Sequence, residues 1–162
     1  MFTDGSVNPE TKIGYGAYLI VDEGKMASDV EPKDIKTKSF KNTSSTKLEL
    51  ETLLWAFDEI DLKKRKIIVY TDCQNILGLR SRREKLERAD YLSKTNKVIK
   101  NHELYKEFYK RVDLTKAEFV KVKGHKKQNE KSEIDKLFSF VDKASRFALR
   151  HPLGVGMEEV SK

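Results

Sequence analysis

Two short stretches of this chain share one pattern. Residues 2–6 read FTDGS and residues 70–75 read YTDCQN, so an aromatic residue, a threonine and an aspartate run in a row at Asp4 and again at Asp72. Two aspartates in matching settings suggest carboxylates meant to converge. Glu49 lies near the start of an apolar helical stretch, and Asp135 and Asp142 lie on a long C-terminal one. Strand ends and helix starts can bring such groups together. Clustered carboxylates repel, so a shared site implies hard divalent cations, and magnesium suits an all-oxygen site that leaves room for phosphate. Two such ions about 4 Å apart can activate a water on one side of a phosphodiester and steady the leaving oxygen on the other. With 26 acidic residues in the chain, spacing alone also leaves room for four unrelated surface acids.

The elements that would position these groups are readable from apolar patterning. FTDGS, GYGAYLIV (14–21) and a looser stretch ending at SFKNT (39–43) read as a three-stranded meander divided by turn signals. STKLELETLLWAFDEI (45–60) places Leu50, Leu53, Leu54 and Phe57 at helical spacing, with a Ser or Thr available to cap its start. KIIVY (66–70) is a continuous apolar run ending at TD, as expected of a strand buried on both faces. Basic helices follow from 73 and from 101, then a strand at EFVKV (118–122) and a long helix over 132–150. The order β β β α β α α β α is mixed α/β.

At 162 residues the chain is read as one domain over 1–150 with a mobile tail over 151–162. The net charge of +7 favours a polyanionic partner. The positive charge is concentrated: Arg80 to Lys127 holds 16 Lys and Arg against 7 Asp and Glu. A single cysteine, Cys73, read as a small core residue, excludes an intrachain disulfide. With no apolar run of membrane-spanning length and no secretory leader pattern, a monomeric cytoplasmic protein away from membranes is expected.

The succession FTDGS, GYGAYLI, TKLELETLLWAF, VYTDCQN and VKGHKK, with a following helix containing IDKLF and VDKAS, resembles the type 1 ribonuclease H family over residues 1–150. The resemblance implies a ribonuclease H-like fold, a five-stranded mixed sheet flanked by helices, and metal-dependent endonucleolytic cleavage of the RNA strand of RNA/DNA hybrids. It implies two Mg2+ ions, with Mn2+ as a substitute. Matched by position, Asp4, Glu49 and Asp72 are catalytic metal ligands, and His125 in KGHKK is a proton carrier that assists product departure. Glu51 is in the wrong register, and His102 and His151 remain surface residues. Ser44, Ser45, Thr46 and Gln74 fall where the family contacts phosphates and sugars, although a Ser or Thr there could equally cap the helix.

The fourth carboxylate has two candidates. Asp135 lies ten residues after His125, which fits the usual spacing, but Ser132 to Asp135 also forms a capping-box-like helix start. Asp142 has no such structural explanation, and small residues behind it allow its helix close to the sheet. Seven residues separate the two, about 10 Å along a helix, so only one can join the site. Asp142 is preferred. Two features depart from the family pattern: the loop VNPETKIGYG after TDGS is short, and only three residues precede Asp4, which leaves the first strand little length to hold that ligand. Other readings are a related nuclease of different nucleic-acid preference and a hybrid-binding module without catalysis.

Overall fold

The computed structural model describes residues 1–61, 65–123 and 132–152. Five strands and four α-helices occur among them: β1 (Phe2–Asn8), β2 (Ile13–Leu19), β3 (Ile35–Phe40), α1 (Ser45–Asp58), β4 (Ile68–Thr71), α2 (Gln74–Arg88), α3 (His102–Thr115), β5 (Glu118–Lys121) and α4 (Glu133–Arg150). They form one mixed sheet of order β3-β2-β1-β4-β5. The first three strands run antiparallel as a meander, whereas β4 pairs parallel to both β1 and β5. This five-stranded mixed sheet flanked by helices is the architecture that the resemblance implies.

Period-two alternation in β1 divides its side chains between two cores. Phe2 joins Ala17, Leu19, Leu137, Phe138 and Val141 beneath α4, and it stacks on Tyr70 with ring centroids 4.7 Å apart. On the opposite face, Leu50, Leu53 and Phe57 of α1 pack with Val69, Ile76 of α2 and Phe108 of α3. The sheet is therefore sandwiched, with α4 on one side and α1 to α3 on the other. Helix α1 sits close to the strands because glycines face it. A Cβ on Gly5 would lie 2.9 Å from Leu48, and one on Gly16 would lie 2.1 Å from Thr52 Oγ1.

The first strand, read at FTDGS, runs two residues further to Asn8 and pairs with β2 along its whole length, so Asp4 is held inside the strand opposite Ala17 despite the short stretch before it. The third strand lies at Ile35–Phe40 rather than up to 39–43. It is an edge strand with exposed Lys36 and Lys38, which lacks the apolar run that marks a buried strand. His125 and residues 153–162 of the expected tail lie outside the described residues.

Candidate active site

The aromatic–Thr–Asp repeat is a statement of strand register. Phe2 pairs with Tyr70 across the parallel β1/β4 ladder. Two residues further along each chain, Asp4 and Asp72 come side by side. The threonines between them, Thr3 and Thr71, are both fully buried. The echo thus encodes one stacked pair, one buried pair and one facing pair of carboxylates on adjacent strands.

Helix α1 delivers the third acid. Ser44 caps it, its hydroxyl accepting from the Lys47 N–H at 3.3 Å, and the first turns then lie over Gly5. Glu49 reaches the cluster there, so that one carboxylate oxygen from each of Asp4, Glu49 and Asp72 lies within 4.8 Å of the others. Asp4 and Glu49 are almost completely buried, whereas Asp72 is exposed. Helix α4 brings the fourth from the other face. Asp142 lines the same groove and lies near enough to Asp4 to raise its pKa. Ser145, one turn on and fully buried, meets Ser6 of β1 through their hydroxyls at 3.1 Å.

Asp135 is held elsewhere. Its carboxylate accepts from the Ser132 N–H at 3.1 Å and from the Ser132 hydroxyl, while its own N–H donates to Ser132 Oγ at 3.2 Å. That is a complete capping box at the start of α4. Asp135 does not line the groove.

The electrostatics follow from this crowding. The Asp4 carboxyl is pushed up to about 8, chiefly by burial and then by the charges of Asp72 and Asp142, against a lowering contribution from the Gly5 N–H. Glu49 is held well above the ordinary carboxylate range, again by burial first and then by Asp4 and Asp72. Its Oε2 is buried without a hydrogen-bond partner. An orphaned carboxylate oxygen within an all-oxygen donor set fits a hard divalent cation, which would compensate the repulsion and satisfy that atom.

The groove has a volume of about 420 Å³ and is also lined by Ser45, Thr46, Gln74 and Arg146. The family model for RNase H matches residues 1–141. This chain belongs to the RNase H family. The ribonuclease H of Novosphingobium aromaticivorans is 30% identical over 142 residues, which cover 86% of this chain and 92% of that protein. Asp142 is the first residue beyond the stretch that the RNase H model matches.

Of the residues expected to contact nucleic acid in an RNase H protein, Ser45, Thr46 and Gln74 line the groove. Ser44 does not, and its hydroxyl is occupied as the helix cap. Cys73, read as a core residue, packs against the core and also forms part of the groove wall, with burial pushing its thiol up to about 11. Sequence reasoning missed Ser6, Asn75 and Arg146 as lining residues. The signal for Arg146 was its position four residues after Asp142, one helical turn along the same face. Glu51, set aside on register, turns away from the cluster and accepts from the Thr43 hydroxyl at 2.6 Å.

Proposed function

We propose that this chain is an endoribonuclease that hydrolyses the RNA strand of RNA/DNA hybrids, with Asp4, Glu49, Asp72 and Asp142 holding two Mg2+ ions, for which Mn2+ can substitute. The observation that carries this reading is the convergence of Asp4, Glu49 and Asp72, two of them nearly buried, in a chain of the RNase H family. Bound there, divalent ions would supply an activated water and charge compensation at the leaving oxygen.

The protein's own contributions follow from its geometry. Asp4 and Asp72 are fixed by the β1/β4 register, and Glu49 by the close approach of α1 to Gly5. A rigid carboxylate frame keeps the ligands from relaxing apart, which is what their mutual repulsion favours. Ser45, Thr46 and Gln74 offer short hydroxyl and amide groups at the groove, chemistry suited to 2′-hydroxyl and phosphate contacts that read shape rather than sequence. The basic stretch from Arg80 to Lys127 supplies the field that draws a polyanion. His125, by its place in KGHKK, assists product departure by carrying a proton.

The test is incubation of labelled RNA/DNA hybrid, double-stranded RNA and double-stranded DNA with the protein and Mg2+, with a chelator as control. Cleavage confined to the RNA strand of the hybrid and abolished by chelator is expected. Equal cleavage of either homoduplex would make the chain a nuclease of different preference. Hybrid binding without cleavage at any Mg2+ concentration would make it a binding module.

A further inference from the structure

Asp142 differs from Asp4 and Glu49 in what holds it. Asp4 and Glu49 are nearly buried, and the Gly5 backbone beside them favours the ionised form of each. Asp142 arrives on a separate helix from the opposite face of the sheet, and its side chain is 25% exposed. An aspartate in that position has open rotamers toward solvent. Its one oriented charged partner among the described residues is Arg146, whose Nε lies 2.9 Å from Asp142 Oδ1.

The simplest account of the pair is an ordinary helix-face ion pair between residues four apart, which contributes little. Two facts go beyond it. Arg146 lines the carboxylate groove and is the only cationic side chain among the described residues to do so. The same Asp142 carboxyl that Arg146 holds lines the groove beside Asp4 and bears on its ionisation. An arginine gripping one side of that carboxyl fixes its rotamer toward β1. Ligating carboxylates in metal sites are commonly oriented by such a partner.

We propose that Arg146 is a positioning residue, holding Asp142 against the Asp4 side of the groove and thereby setting the divalent-cation affinity of the site. This rests on the reading of the four carboxylates as a metal site. A guanidinium beside a cation site also repels the ion, which works in the opposite direction. The sign of the change on removing it therefore discriminates between the two roles.

The experiment is calorimetric titration of Mn2+ into the metal-free full-length protein, its Arg146→Ala and Arg146→Gln variants, with thermal midpoints of all three. Gln Nε2 occupies the same place along the side chain as Arg Nε, so this variant keeps an N–H donor there without the charge. The Ala variant should bind Mn2+ at least about tenfold more weakly. The Gln variant should bind within a few-fold of the parent, and the metal-free midpoints should barely differ. Unchanged or tighter binding by the Ala variant would overturn the positioning role. A Gln variant as weak as the Ala variant would overturn it too, because charge rather than an oriented donor would then be at work. A parent that takes up no Mn2+ would overturn the metal-site reading itself, and this inference with it, so the two failures are distinct.

Discussion

Asp142 and Asp135 show how far residue-level reasoning reaches. Both sit on α4 seven residues apart, and local chemistry distinguishes them: Ser132 three residues before Asp135 makes a capping box, whereas Asp142 caps nothing and has only a helix-face ion pair with Arg146. If Asp142 is a ligand, Asp142→Asn should lower turnover at saturating Mg2+ by several orders of magnitude with little change in denaturant midpoint. Asp135→Asn should keep its turnover and lose only part of a helix-start interaction, roughly 0.5–1 kcal/mol. Turnover and denaturation measured side by side separate the outcomes, and an inactive Asp135→Asn beside an active Asp142→Asn would reverse the assignment. The convergence of Asp4 and Asp72 was legible because register leaves a trace in sequence, the repeated aromatic–Thr–Asp. The place of Arg146 at the groove left only a weak trace, its spacing of four residues from Asp142, which any solvated helix can show.

At the scale of elements, the helices and the buried strand declare themselves by apolar periodicity. Helix α1 was expected over 45–60 and spans Ser45–Asp58; α4 was expected over 132–150 and spans Glu133–Arg150. The strand ends that shifted are the ones that pairing, not composition, defines. Edge strand β3 is lysine-bearing, and the far half of β1 carries Gly5, Ser6 and Asn8. What the sequence did not disclose is how closely α1 must approach the sheet. A methyl group on Gly16 would stand 2.1 Å from Thr52 Oγ1 and 2.9 Å from both its Cβ and Cγ2, so rotation of Thr52 gives no relief. Gly16→Ala should therefore cost about 1–3 kcal/mol of stability through overpacking. It should also weaken catalysis, because the helix that must shift carries Glu49. A chemical denaturation midpoint equal to that of the parent would show that α1 is not clamped in this way.

For the molecule as a whole, gathering the carboxylates sets a conflict between folding and ionisation. The folded Asp4 carboxyl titrates near 8 against an ordinary 3.8, so between these values the folded chain holds a proton that the unfolded chain releases. The stability from this group is fully present below the ordinary value and is lost as pH rises toward 8. Glu49 shifts in the same direction. A bound cation favours the ionised forms and reverses the penalty. Saturating Mg2+ should accordingly raise the melting temperature more near pH 8 than near about pH 5. Equal Mg2+ shifts at both pH values would mean that the ion does not act on these carboxylates.

The central claim, that the groove between β1, β4, α1 and α4 is a metal-dependent hydrolytic centre for hybrid, is tested most directly on Asp72. Removing one negative ligand weakens the metal site and also lessens the repulsion of phosphate. RNA-strand cleavage and hybrid affinity, measured on one preparation of the Asp72→Asn variant with Mg2+, should show hydrolysis abolished and affinity equal to or above that of the parent. Hydrolysis within a few-fold of the parent would contradict the account.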